Sequence, residues 1–253
     1  MNAGEYEAMY RVEKDHWWYI GLRDLLLCWT RRLSRQWKRN DLTILDAGCG
    51  TGINFIEHEK MGYSMWGVDA SWDAIAFMRR RGARNVQQAL IQSLPYPDGF
   101  FDVIYSMDVI VMLREREVKQ AFMEMKRCLK PEGRLLLNFA TIQFLYSSHD
   151  VAVQAVARHS KSTIERLLRE SGFVLEKSTY RLFFLFPLLA AAKLTQKIGL
   201  KGKRAEQVKG DLEKTNVLMN VLMSPVMRFE NLLLRILNLP IGTSLFMVAR
   251  TGN

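Results

Sequence analysis

The sequence predicts an α/β fold: a doubly wound, mostly parallel seven-stranded sheet with an N-terminal helical lid and a helical insertion between the last two strands. Three observations predict it. Short apolar runs alternate with amphipathic helical stretches between residues 43 and 139. A glycine-rich turn, Gly48-Cys49-Gly50-Thr51-Gly52, directly follows the first of those runs. Two later strand-like runs, Phe173–Arg181 and Ser244–Arg250, are separated by residues of helical character.

Apolar side chains recur at helical spacing from Tyr6 through Leu33 with no proline to interrupt them, so a single helix is expected over residues 5–38. Thr43–Asp46 is the first strand, and Asn54–Met61 is the helix beyond the glycine turn. A strand at Ser64–Asp69, a helix at Trp72–Arg81 and a strand at Asn85–Ala89 come next. Phe101–Ser106 has the length and apolarity of a buried strand. Glu115–Leu129 is an amphipathic helix that the Lys130-Pro131-Glu132-Gly133 turn should stop before a strand at Arg134–Phe139. Ser162–Ser171 reads as a helix capped by Ser162 or Thr163 and ended by Gly172, with the strand Phe173–Arg181 after it. Val217–Leu237 is amphipathic. The expected division is a lid over 1–40, a core over 41–182 and 241–253, and an insertion over 183–240.

With 253 residues and 49% hydrophobic content the chain can bury one substantial core. Cys28, Cys49 and Cys128 are widely spaced with no CxxC pair, which points away from a disulfide framework or a metal site and toward a reducing cytoplasm. The N-terminus is polar and acidic, unlike a signal peptide. The apolar run Leu182–Ala192 is broken by Pro187 and is too short to span a bilayer. A net charge of +10 favours acidic partners without choosing among them.

An open parallel sheet binds its ligand beyond the carboxyl ends of its strands, where strand order reverses. Gly48, Gly50 and Gly52 fall there, and glycine lets the backbone approach a ligand closely. The spacing GxGxG after Asp46, with Ile53 next, fits an adenosylmethionine turn better than the dinucleotide GxGxxG. At the end of the next strand, Asp69 is placed to accept hydrogen bonds from two ribose hydroxyls. The bland reading is that these glycines only turn the chain and Asp69 only caps a helix.

On these residues the sequence resembles the class I, Rossmann-like, S-adenosylmethionine-dependent methyltransferases over nearly its whole length. Glu13 with His16-Trp17-Trp18-Tyr19, the Leu94-Pro95-Tyr96-Pro97-Asp98-Gly99-Phe100-Phe101-Asp102 run, Leu129–Arg134, and Ser147-Ser148-His149-Asp150 resemble a bacterial and archaeal subgroup with an N-terminal His-Trp-Trp helix. The resemblance implies S-adenosylmethionine as cofactor. It further implies that Asp46 and the Gly48–Gly52 loop, including Cys49, hold the methionine moiety, that Asp69 holds ribose, that Ala70 and Ile91 border the adenine side, and that Asp108 lies beside the methyl donor as a cofactor and catalytic residue.

The chain departs from that subgroup at several places. Leu90 stands where an aspartate usually meets the adenine amino group, Val111 and Met112 replace a Glu-His pair, and Ala155, Ala157, Arg158 and His159 replace a more polar cluster. Two explanations are open: an acceptor that needs little proton handling, or a catalytically degenerate subunit that partners or regulates an active methyltransferase.

His16 and His149 are the candidate acid–base groups, each with a structural alternative as a hydrogen-bonded helix or loop residue. Trp17, Trp18, Tyr19, Met112 and His159 are candidate acceptor contacts, although aromatics at helical spacing also serve as core. His58, on a helix away from the strand ends, is expected at the surface. Arg31–Arg39 and Arg79–Arg81 are basic, but no nucleic-acid module accompanies them, so nucleic acid is a minor alternative. Residues 182–204 combine an apolar stretch with Lys193, Lys197, Lys201, Lys203 and Arg204, which suits peripheral membrane contact; a subdomain core or an oligomer surface is the other reading. The expected acceptor is a hydrophobic small molecule or a lipid- or prenyl-linked compound.

Overall fold

The structure, a computed structural model, describes residues 3–141, 159–187 and 217–252. Seven strands form one sheet: β1 (Thr43–Ala47), β2 (Ser64–Asp69), β3 (Val86–Gln88), β4 (Phe101–Met107), β5 (Leu129–Ala140), β6 (Phe173–Arg181) and β7 (Ser244–Thr251). Their spatial order is β3-β2-β1-β4-β5-β7-β6. The first five are parallel to one another, and β7 is antiparallel to both β5 and β6. Strand order reverses between β1 and β4, so the crevice at their carboxyl ends is where such a sheet takes a ligand.

Successive strand side chains point to opposite faces, and here both faces are buried. Leu45, Leu135 and Leu137 face one core with Val118, Phe122 and Met125 of α5 (Glu115–Cys128) and Ile164 and Leu168 of α6 (Lys161–Glu170). Ile44, Tyr105 and Leu136 face the other, with Leu25 and Leu33 of α2 (Trp17–Trp37), Phe55 of α3 (Ile53–Glu59) and Met78 of α4 (Trp72–Arg80). That two-sided burial is why these strands read as continuous apolar runs. α7 (Val217–Leu233) lies against α2, where Asn231 Nδ2 donates to the Gly21 carbonyl at 2.8 Å. α7 therefore docks on the N-terminal helices.

Several expectations change. The N-terminal helix is two helices, α1 (Ala3–Val12) and α2, because His16 is extended and caps α2 through Nδ1, which accepts the Trp18 N–H at 3.2 Å. The Lys130–Gly133 turn becomes an irregularity inside β5: Leu129 pairs with Phe101, Arg134 pairs with Val103, and Glu132 between them has φ +62°. α6 is capped by Ser160, whose Oγ accepts from Thr163 N, rather than by Ser162 or Thr163.

His58 is fully buried, not at the surface, between the Thr30 hydroxyl at 3.0 Å and the Asn54 carbonyl at 2.7 Å. Its ring packs against Tyr63 and Tyr105, on the side of α3 that faces the sheet. Among the described residues no helix is long and apolar enough to cross a membrane.

Candidate active site

The turn after β1 is built for close approach. Gly48, Gly50 and Gly52 have φ of +86°, +51° and +87°, a region that other residues seldom adopt. A Cβ on Gly48 would lie 2.2 Å from Val109 Cγ2, and one on Gly52 would lie 1.8 Å from Met78 Sδ. The Gly48 and Cys49 amides donate to the Val68 carbonyl at 2.8 and 2.9 Å, which ties the turn to the end of β2.

At that end Asp69 takes three donors. Gly50 N–H meets Oδ2 at 2.9 Å, while Ser71 N–H at 2.9 Å and the Tyr6 hydroxyl at 3.2 Å meet Oδ1. Burial still raises its pKa, against the lowering effect of those bonds. Asp46 is more deeply buried and its Oδ2 has no hydrogen-bond partner among the described residues. Burial, with Asp69 and Glu13 nearby, pushes its pKa well up despite the adjacent Tyr105 hydroxyl. A buried carboxylate oxygen without a donor is unusual in a finished core and common where a ligand belongs.

Beyond β4, Asp108 has φ +61° and is held at two points by Asn138 of β5. Its N–H donates to the Asn138 carbonyl at 2.7 Å, and its carboxylate accepts from Asn138 Nδ2 at 3.1 and 2.9 Å. The lid closes the opposite side. Glu13, buried just after α1, accepts from Arg81 Nη2 at 2.6 Å and from the Thr51 hydroxyl, so the end of α1 is tied to the glycine turn. Burial raises the Glu13 pKa; its bonds with Thr51 and Arg81 act against this. Burial also lowers the His16 pKa, favouring the neutral ring, and with Nδ1 accepting a backbone N–H the remaining proton sits on Nε2.

These groups surround one cavity of about 740 Å³. Of the residues expected from sequence, Asp46, Gly48, Cys49, Gly50, Asp69, Ala70, Ile91, Asp108, Met112, His16, Trp17, Trp18 and Tyr19 all line it. Gly52 lies behind the turn as the N-cap of α3. His159 is buried and does not itself line the cavity; its Nε2 meets the carbonyl of the lining residue Leu113 at 2.9 Å, and its own carbonyl accepts from the Thr141 hydroxyl at 3.0 Å. His149, Ala155, Ala157 and Arg158 lie outside the described residues.

Sequence reasoning missed Tyr6, Ser71, Gln92, Leu182, Thr243 and Ser244 as lining residues. The last two carried a usable signal. Because β7 is antiparallel to β5, its first residue pairs with the last of β5, Ser244 with Ala140, at the ligand-binding edge. Tyr6 carried no such signal, since its partner stands 63 positions away.

Residues 45–137 match the family described as Methyltransferase domain. A putative methyltransferase of Encephalitozoon cuniculi is 32% identical over 43% of this chain, which spans half of that protein's length. Phosphoethanolamine N-methyltransferase 3 of Arabidopsis thaliana is 29% identical over 51% of the chain, which spans 28% of that enzyme. Among solved structures, the geranyl diphosphate C-methyltransferase of Streptomyces coelicolor, held with S-adenosyl-L-homocysteine, superposes with a TM-score of 0.55 at 16% identity. The alignment covers 83% of this chain and 70% of that one. The fold is the α/β Rossmann-like fold of class I methyltransferases.

Proposed function

We propose that this chain, which carries a class I methyltransferase domain, transfers a methyl group from S-adenosylmethionine to a hydrophobic small-molecule or lipid- or prenyl-linked acceptor. The observation that carries the reading is the glycine turn at positive φ beside Asp69, opening onto the same cavity as Asp108 and the lid aromatics. The residues fit the cofactor. The glycine turn keeps its positive-φ backbone at the cavity edge where any side chain would clash with Val109 or Met78, Asp46 offers a buried oxygen without a partner among the described residues, and the cavity falls in the size range of a small-molecule site.

Asp46 and the Gly48–Gly50 backbone would hold the methionine end, Asp69 the ribose, and Ala70 with Ile91 the adenine. When bound, the cofactor supplies an electrophilic methyl on a sulfonium, open to in-line displacement. The chain contributes positioning and exclusion of water: Trp17, Trp18 and Tyr19 wall the lid side, and Val111 and Met112 make the acceptor side apolar. His16 Nε2–H is available as an orienting donor, and Asp108 as an acceptor toward the reacting atom. Peripheral membrane contact is supported by the exposed Val221, Leu222, Phe229 and Leu232 on α7 with Ile236 and Leu237 just beyond, next to exposed Arg228. Residues 188–204 of the proposed contact stretch lie outside the described residues.

Calorimetry with S-adenosylmethionine tests the donor reading: Asp69→Ala should weaken binding at least tenfold, and unchanged affinity would overturn it. A metabolite-extract screen with labelled methyl donor tests activity and acceptor together. The second reading, a degenerate subunit, is favoured by Val111, Met112 and the outward-turned Leu90 at the cavity rim. Release of S-adenosylhomocysteine by the purified chain alone sinks it. Absence of co-sedimentation with anionic vesicles at low salt would end the membrane reading.

A further inference from the structure

Arg181, the last residue of β6, is fully buried, a place where an arginine is costly unless it is used. Its side chain reaches across β7 toward β5, two strand spacings or about 10 Å, and its Nη1 donates to Asn138 Oδ1 at 2.9 Å. Nε and Nη2 are buried with no hydrogen-bond partner among the described residues. The nearby carboxylate of Glu230 is occupied with the backbone N–H groups of Leu182 at 2.6 Å, Phe183 at 2.7 Å and Phe184 at 3.4 Å. The described bond of the guanidinium thus goes to one amide oxygen.

That amide is the one holding Asp108. Asn138 sits between a group that can only donate and, when ionised, a group that can only accept. Oδ1 must face Arg181 and Nδ2 must face Asp108, and the observed contacts have that sense on both sides. A cation bound to Oδ1 also polarises the amide and strengthens the hydrogen bonds from Nδ2. Asp108 needs such restraint, because a non-glycine residue at φ +61° is held only when its surroundings fix it.

We infer that Arg181 is a positioning residue that acts through Asn138 to hold the Asp108 carboxylate at the floor of the cofactor and acceptor cavity. It touches neither ligand. The inference rests on the methyltransferase reading for what Asp108 does there, and it adds a residue outside the matched domain to the site.

The test is a set of S-adenosylmethionine dissociation constants by calorimetry on the full chain, with circular dichroism to verify folding. Arg181→Met removes the guanidinium while keeping a flexible, unbranched side chain that can fill the buried space, so it is the main variant. It should weaken binding about tenfold, an effect of the size expected for coupled neighbours. In an Asp108→Ala background the same change should have no further effect, and Arg181→Lys, which restores a charged donor, should recover most of the loss. If Arg181→Met does not fold, Arg181→Gln keeps a donor without the charge and should bind between wild type and Asp108→Ala. Binding of Arg181→Met or Arg181→Gln within twofold of wild type, or losses that simply add to that of Asp108→Ala, overturns the positioning role alone. A wild-type chain that does not bind S-adenosylmethionine overturns the donor assignment as well.

Discussion

The Tyr6 hydroxyl donates to Asp69 Oδ1 at 3.2 Å, so the lid helix α1 occupies part of the carboxylate assigned to ribose. An ionised carboxylate has about four acceptor positions, and Gly50, Ser71 and Tyr6 fill three. Two ribose hydroxyls need two positions, one more than is left, and the two backbone donors are fixed by the turn. Tyr6 must therefore yield. Tyr6→Phe should tighten S-adenosylmethionine binding about three- to tenfold, within the range of a single hydrogen bond, and stopped-flow association should quicken. Weaker binding by the variant would show that Tyr6 assists the ribose instead.

Glu13, Asp46 and Asp69 all have raised pKa values, burial being the largest cause for each. The folded chain without ligand then holds protons that the unfolded chain has released. Their contribution to stability is greatest in acid and falls as pH rises from the ordinary values, 3.8 for Asp46 and Asp69 and 4.5 for Glu13, through the raised folded values. A bound sulfonium and ammonium favour the ionised carboxylates, so binding should release protons and affinity should rise with pH. Calorimetry near pH 6 in two buffers of different ionisation enthalpy reads the proton count. Asp46→Asn should lower that count, and an unchanged value would remove Asp46 from the linkage.

His58 titrates with the opposite sense. Burial lowers its pKa from 6.5 to about 4, outweighing the raising effect of the Asn54 carbonyl. A base with a depressed folded pKa contributes its full stability above 6.5 and loses it as pH falls toward 4. A shift of that size corresponds to about 3 kcal/mol at most. Urea unfolding of wild type and His58→Leu between pH 7 and 4 isolates the effect, because the site carboxylates cancel in the difference. The stability gap should move in favour of the leucine variant as pH falls; a gap that stays flat would place the His58 proton balance elsewhere.

The strands and the glycine turn were legible because burial on both faces and the need for positive φ constrain residue type directly, as at Leu45, Leu136 and Gly48. Asp69 was legible for a similar reason, since the end of the second parallel strand faces the turn. The break at His16 was not, because a neutral imidazole can cap a helix while its aromatic neighbours keep helical spacing. His58 was misplaced because a histidine on a short helix has no pattern that distinguishes a buried hydrogen-bonded ring from a solvated one. Arg181 and Asn138 stand 43 positions apart and meet only because β7 inserts between β5 and β6, a pairing set by tertiary structure.

Leu90 gives the sharpest test of how far the adenine side has diverged. It lines the cavity and yet is 57% exposed, so an apolar side chain stands at the rim with little packing to lose. The neighbouring Ile91 is buried and Gln88 Nε2 donates to the Ala70 carbonyl at 2.8 Å, so the backbone on both sides is anchored. An aspartate at position 90 would sit on an ordered loop and gain a hydrogen bond to an adenine amino group, worth about 0.5 to 1.5 kcal/mol net. Leu90→Asp should therefore tighten S-adenosylmethionine binding by up to about tenfold, with unfolding stability close to wild type because the exposed leucine contributes little burial. The comparison must include S-adenosylhomocysteine, which carries the same adenine without the sulfonium. Equal tightening for both ligands places the new carboxylate at the base. Tightening for the methyl donor alone would mean that it acts through the sulfonium charge, and the adenine would have to be assigned to another wall of the cavity.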